Sequence, residues 1–288
     1  MTTVLHPVAE QPRIFRRDSS RVLGRMAIRS LYTELSLYPK PGLVSPVDNG
    51  AHDDMSMATF MRSLFSLRTY FVQIAAAGGF ESRFITLKQL GMDAERRMLT
   101  ATAGINTHRG AIFNLGLLSA SAGYHIANRL PLDTDAICMT VTTLWGKDLM
   151  ADMPVDSNGS RAIARHGGPG AREQAALGYP VLRHVAVPTY DNALKQSDDR
   201  DLAALQTFFT LMSVLNDTNI LHRAGREGLD YVHQQAREFL SDGGVFASGS
   251  IDRAAELHRA FSQRRISPGG AADLLSCAIF LHDVRAGQ

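Results

Sequence analysis

Apolar residues recur every three to five positions through most of the chain. Val22, Met26, Leu31 and Leu35 form one such stripe behind a capping Asp18 or Ser19, and Pro39 and Pro41 close it. Met57, Phe60, Leu64, Leu67 and Phe71 form a second, from about Ser56 to the Gly78–Gly79 pair, whose second glycine supplies a helix exit. The same period predicts helices over about 87–101, 110–129, 133–150, 171–178, 200–223, 227–240, 251–264 and 269–284. The alternation a strand needs is nearly absent, and only PVLRHVAVP at 180–188 reads as a short extended piece. The pattern predicts an all-α protein: a single multi-helix globular domain over residues 18–288, behind a flexible lead-in of residues 1–17 that carries Pro7 and Pro12.

Composition narrows the class. Of 288 residues 45% are hydrophobic and 20% charged, enough apolar material for a large core and too little charge for a disordered chain. A net charge of +2 provides no general field for nucleic acid or an anionic membrane, so neither is expected as a partner. The basic side is 26 Arg and only 4 Lys, and Arg is the residue suited to forked recognition of phosphate, although an Arg-favouring genome gives the same count. Cys138 and Cys277 lie far apart in apolar stretches, as buried thiols in a reducing compartment would. With no apolar leader and no run approaching ~18–20 apolar residues, a cytoplasmic location is expected. No GxGxxG or GxxxxGK[ST] occurs, so a nucleotide would have to be held by helix ends and arginines.

Four polar segments interrupt the helical rhythm. In Lys40–Met55, a Lys, a His and three acids including Asp53 and Asp54 crowd a proline-stiffened loop that could offer a carboxylate to a substrate or to Mg²⁺; the ordinary alternative is that one acid favours the next helix start. Gly104–Gly110 places Asn106, Thr107, His108, Arg109 and Gly110 at a helix N-terminus, where outward amides and Arg109 suit a phosphate, against plain capping by Asn106 or Thr107. Ser160–Glu173 sets Arg161, Arg165 and Arg172 around a glycine-rich turn, an arrangement for a polyphosphate or an ordinary solvated loop. Leu215–Arg223 puts Asp217 between Asn216 and Asn219 in or at the end of an apolar helix, where burying a carboxylate demands a partner, a metal or a substrate. Near the C-terminus, Ser267-Pro268-Gly269-Gly270 reads as a capped helix start, with a second anion contact as the alternative.

Taken together these segments carry a resemblance. KPGLVSPVDNGAHDDM, GINTHRGAIFNLGLL, GPGAREQAALGYP, NDTNILHRAG and SPGGAADLL, in that order over about residues 20–285, resemble the triphosphoribosyl-dephospho-coenzyme A synthases, in style closer to the malonate decarboxylase branch than to the citrate lyase branch. Ala224 and Ala271 depart from the family pattern, where glycine and serine are usual. The resemblance implies that ATP and 3′-dephospho-coenzyme A are the substrates. A ribose hydroxyl of the latter attacks C1 of the ATP ribose, adenine leaves, and the triphosphate stays on. The product is the prosthetic-group precursor of an acyl-carrier subunit, handed on by a holo-carrier-protein synthase.

Loss of a purine passes through a state with oxocarbenium character, which calls for a base, a proton or hydrogen bond for the leaving group, and negative charge nearby. On that reading Asp54, with His52, orients or deprotonates the hydroxyl, and Asp217 helps adenine leave or shields the cationic ribose. His108 joins them in the catalytic set. Lys40, Asn106, Thr107, Arg109, Gly110, Arg161, Arg165, Arg172, Asn219 and Arg223 hold nucleotide, and Asp53 or Asp54 meets a Mg²⁺ on the triphosphate. A homodimer is a further expectation. Two rival readings are an N-glycosidic hydrolase using water as acceptor, and a non-catalytic helical protein that binds a carrier subunit.

Overall fold

Each periodic segment folds as a helix. The computed structural model describes residues 13–80, 83–151 and 170–287, which hold eleven α-helices and no strand. In chain order they are α1 (Arg13–Ser36), α2 (Met57–Phe80), α3 (Phe84–Ala101), α4 (Arg109–Asn128), α5 (Thr134–Ala151), α6 (Ala171–Ala176), α7 (Val187–Ser197), α8 (Arg200–Val214), α9 (Thr218–Ser241), α10 (Ser250–Gln263) and α11 (Gly269–Ala286). No described helix is long and apolar enough to cross a membrane. Helix α1 begins at Arg13, inside the stretch expected as lead-in.

Two helices are buried nearly all round, as their sequences require. AIFNLGLLSASAG of α4 and AADLLSCAIFL of α11 carry apolar or small residues on every face, so neither can lie on the surface. Helix α2 packs between α1, α3 and α4, while α11 contacts α1, α4 and α8. The α2–α4 crossing is backbone against backbone: a Cβ on Gly78 would overlap the carbonyl of Ala120, and one on Gly123 the carbonyl of Ala75. Alanine has the better helix propensity, but here the overlap is with main chain that cannot swing aside. Gly78→Ala or Gly123→Ala is therefore expected to destabilise the fold by ~1–3 kcal/mol, read from urea midpoints at unchanged m-value.

Two predicted elements take another form. Residues 180–188, expected to be extended, are helical: a π-turn at Leu182–Ala186 runs straight into α7. Pro188 lacks the N–H that would close the preceding turn, and a widened turn absorbs that loss while Leu182, Ala186, Val187 and Tyr190 are buried. The helix expected over 200–223 stops at Val214, because Asp217 caps a new one and Leu215 is extended between them. Helix α9 then bends at Gly225, whose φ of 65° only glycine adopts freely, so the expected break near 223–227 is a kink within one helix. Both cysteines are buried free thiols.

Candidate active site

The loop after α1 turns inward rather than out to solvent. Lys40 is 1% exposed and its Nζ lies 2.5 Å from Glu34 Oε1, an equally enclosed carboxylate on the apolar face of α1. Burial pulls the Lys40 pKa down, and Glu34 opposes that by charge and hydrogen bond. His258 of α10 clamps the loop: its Nδ1 is 2.6 Å from the Lys40 carbonyl and its Nε2 is 2.8 Å from Asp48 Oδ1. Gly42, at φ +71°, lies so close to the Ile266 carbonyl that a Cβ would not fit. Fixed in this way, the loop is a rigid wall, with His52 Nε2 2.8 Å from Ser267 Oγ at the start of α11.

Three helix N-termini face that wall, and two carboxylates knit them together. Asp217 caps α9 through the amide of Asn219 (2.8 Å) and reaches across to the amide of Ala271 in α11 (3.0 Å). Burial pushes its pKa up, while the backbone amides of Asn219, Ala271, Ile220 and Gly270 hold it down. Asp273, one turn into α11, accepts the Ala111 amide of α4, and its carboxylate fills the space where a Cβ on Gly110 would sit. Its pKa is raised well above the usual 3.8, first by burial, then by the negative charges of Glu34 and Asp217. The amides at the start of α4 are largely spoken for: His108 N points to Met98 Sδ (3.3 Å) and Arg109 N to Asn106 Oδ1 (3.2 Å). The expected open amide cradle for phosphate is thus mostly filled by protein acceptors, and Asn106 is a cap.

Between wall and helix starts lies a cavity of about 370 Å³. Its interior end is formed by Leu31, Leu35 and Val44 with Glu34, Lys40 and His108, all buried. Its mouth carries the exposed Asp54, Asn106, Arg109, Asn219, His222 and Arg223. His52, Thr107 and Gly110 complete the expected residues on its wall. Arg109 pairs with Glu95 of α3, and an Arg223 nitrogen stands 3.5 Å from His52 Nδ1.

Three expected site residues sit elsewhere. Asp217 does not line the cavity; its carboxylate is taken up by the two helix starts behind it. Asp53 points outward into an exposed pair with Arg265 at 2.9 Å. Arg172 is outside the cavity, its guanidinium over the ring of Phe113, one turn along α4 from Arg109. Lys40 does line the cavity, at its interior end with Glu34. Arg161 and Arg165 lie outside the described residues. Among the described residues no three His, Cys, Asp or Glu side chains cluster to hold a metal, and Asp54 is the one expected metal ligand on the cavity.

Two of the cavity histidines, His108 and His52, favour the neutral form in the fold. Burial, reinforced by Lys40, lowers His108 from 6.5 to about 3, and burial with the charge of Arg223 lowers His52 to about 4. The unfolded chain takes up both protons as pH drops below 6.5, whereas the native state resists until these lower values. Stability is therefore full above pH 6.5 and falls on acidification, by ~1.4 kcal/mol per pH unit for His108 and less for the more exposed His52. Urea midpoints between pH 7 and 5 check this, and His108→Phe should make the slope shallower.

The cavity thus has an enclosed polar end and a mouth that carries Arg109 and Arg223, and Asp273 is on its lining. Residues 20–288 match the family described as ATP:dephospho-CoA triphosphoribosyl transferase (CitG). The chain belongs to that family. It is 39% identical over 261 residues to a protein of Acinetobacter calcoaceticus named "Probable 2-(5''-triphosphoribosyl)-3'-dephosphocoenzyme-A synthase", covering 90% of this chain and 89% of that one. It is 37% identical over 298 residues to the "2-(5''-triphosphoribosyl)-3'-dephosphocoenzyme-A synthase" of Klebsiella pneumoniae, covering 100% and 98%. No solved structure matches the chain significantly. The protein is thus a transferase of the triphosphoribosyl-dephospho-CoA synthase type, with ATP as a substrate.

Sequence reasoning passed over several of the residues that build this transferase's site. Glu34 is an acid on the buried stripe of α1 between Leu31 and Leu35, and Asp273 an acid inside the apolar start of α11. A charge on an apolar face was the available signal for both. Ser63 and His258 carried none, since each matters only through a partner 45 or 210 residues away.

Proposed function

We propose that the enzyme joins the triphosphoribosyl group of ATP to a ribose hydroxyl of 3′-dephospho-coenzyme A, and that the product serves the acyl-carrier subunit of a malonate decarboxylase in the cytoplasm. The new bond is hydroxyl oxygen to C1 of the ATP ribose; the bond from C1 to adenine breaks and its electron pair leaves with adenine. Asp54 at the mouth accepts the hydroxyl proton, and Asp273 supplies one to the departing base. Glu34 and the other carboxylates favour positive charge developing on the ribose. Arg109 and Arg223 hold phosphate oxygens, helped by the partial positive ends of α4, α9 and α11.

The single observation that carries this reading is the position of Asp273: a carboxylate raised well above its ordinary pKa, inside a cavity whose mouth is cationic. Asp217, assigned on sequence to the leaving group, acts on this reading by holding the starts of α9 and α11 in place. One carboxylate at the mouth suits a Mg²⁺ that arrives on the triphosphate and meets Asp54 directly or through water, not a resident ion. When bound, that ion would offset phosphate charge.

Incubation with ATP, Mg²⁺ and dephospho-coenzyme A, followed by mass analysis, should give free adenine and the heavier adduct in equal amounts. Adenine released as fast without the acceptor would identify a hydrolase instead. Arg109→Ala and Arg223→Ala should each raise the KM for ATP ~10-fold or more while leaving that for dephospho-coenzyme A nearly unchanged. Loss confined to the coenzyme would put the triphosphate elsewhere. Reconstitution of apo malonate decarboxylase and apo citrate lyase carrier subunits with the product tests the pathway.

A further inference from the structure

His108 carries a polar atom that the protein itself does not use. The residue is 3% exposed and lines the cavity, and its Nε2 is buried with no protein partner, as is the neighbouring Thr107 Oγ1. Its other nitrogen, Nδ1, is 2.6 Å from Ser63 Oγ of α2. Ser63 is fully buried, and among the described residues its hydroxyl has no acceptor but this one. If Nδ1 carried the ring proton, the hydroxyl hydrogen would be stranded in the core at a cost of ~1–3 kcal/mol. With the proton on unpaired Nε2 the cost is the same, so only an acceptor brought to Nε2 lets Ser63 donate to Nδ1 and the ring donate from Nε2 with no hydrogen stranded. Phe60, edge-on to the ring at 5.0 Å, holds its plane.

Charge decides what this donor meets. The interior end holds the Glu34–Lys40 ion pair and Asp273, whose raised pKa favours its neutral form, with Asp217 close behind, while Arg109 and Arg223 stand at the exposed mouth. A triphosphate driven inward would leave both arginines for an enclosed end whose one cation, among the described residues lining it, is already paired with Glu34. A purine offers an apolar face to Leu31, Leu35 and Val44 and bare ring nitrogens as acceptors.

We propose that ATP enters base first and that His108 Nε2–H donates a hydrogen bond to an acceptor ring nitrogen of the adenine, with Ser63 as the positioning residue that fixes the tautomer. This deepens the reading above and rests on it. As the bond from C1 to adenine breaks, the electron pair moves into the ring, so the acceptor nitrogen grows more basic and the hydrogen bond strengthens. No proton leaves His108; the base takes its proton from Asp273, which ends as carboxylate.

The test uses ATP and its 1-deaza, 3-deaza and 7-deaza analogues, each analogue lacking one acceptor nitrogen, with the wild-type enzyme and with His108→Phe, His108→Gln and Ser63→Ala. The intrinsic difference between the purines is common to all four proteins, so the coupling between substrate and side chain is what counts. In the wild type, one analogue should lose ~10²-fold in kcat; in His108→Phe, ATP loses ~10²-fold and the penalty for that analogue shrinks to within ~3-fold. His108→Gln, whose amide reaches the Nε2 position, should recover at least ~10-fold of the loss. Ser63→Ala should lower kcat more than it changes KM and reduce the analogue penalty, which a purely structural serine would not do. Equal use of ATP and all three analogues by the wild type, or an undiminished penalty in His108→Phe, would overturn the inference while leaving the transferase reading intact. If His108→Phe does not fold, the wild-type and His108→Gln values decide on the same terms. No adenine from ATP and dephospho-coenzyme A with the wild type would instead sink the transferase reading, and this inference with it.

Discussion

Asp273→Asn is expected to lower kcat by ~10²-fold or more with little change in the KM for ATP, and to remove the alkaline limb of the pH profile. The reason lies in where the carboxylate sits. Burial in the start of α11, with Glu34 and Asp217 as negative neighbours, favours the protonated form well above pH 3.8, and only the Ala111 amide pulls the other way. An acid of that kind holds a proton for the leaving base at a pH where ordinary aspartates have lost theirs. Turnover should therefore fall as pH rises through the raised value. Asparagine keeps the shape and the hydrogen bond but has no proton to give. Glu34→Gln removes one of these two negative neighbours and should move the same limb to lower pH. Asp217→Asn is the informative contrast: its carboxylate is spread over the starts of two helices, so the loss should fall on stability, by ~1–2 kcal/mol, more than on the pH dependence of turnover. An unchanged profile in Asp273→Asn, measured with dephospho-coenzyme A saturating, would remove Asp273 from the chemistry.

Lys40→Met should unfold the protein more easily by ~3–5 kcal/mol, the largest stability loss expected from one substitution in the site. Lys40 and Glu34 are 2.5 Å apart and almost wholly enclosed, so each charge is tolerable only because of the other. Removing the ammonium leaves a buried carboxylate facing Asp273 with nothing to offset it. The double variant Lys40→Met/Glu34→Leu removes both charges and should regain most of the loss, because desolvating an ion pair consumes much of what the pair returns. Its turnover should stay low, since Glu34 also sets the proton affinity of Asp273. Urea denaturation of the two single variants and the double variant gives the coupling directly; simple additivity would mean the pair is not the unit described here.

Helices α2, α4 and α11 were legible because an apolar repeat of 3.6 is a local property: the residues that define the buried face lie within one or two turns of each other. The polar loops were legible too, since proline, glycine and clustered charge interrupt that repeat, and most of the residues they offered do line the cavity. The 180–188 segment was misread because its valines favour a strand by themselves, and burial of Leu182, Val187 and Tyr190 among other helices outweighs that preference.

The direction in which each acid points was another matter. Asp53 and Asp54 are neighbours in the chain, yet one pairs with Arg265 in solvent and the other rims the cavity. Asp217 and Asp273 are both acids at helix starts, and only their cross-bonds to Ala271 and Ala111 separate a structural brace from a cavity-facing carboxylate. Sequence alone determined the helical class, the family and the short set of chemically able residues, because these follow from local pattern and residue type. Tertiary structure decided which of them meet, that Ser63 lies against His108, and which carboxylates burial shifts upward. Hydrogen bonding and desolvation act through space, between residues 45, 54 or more positions apart in the chain.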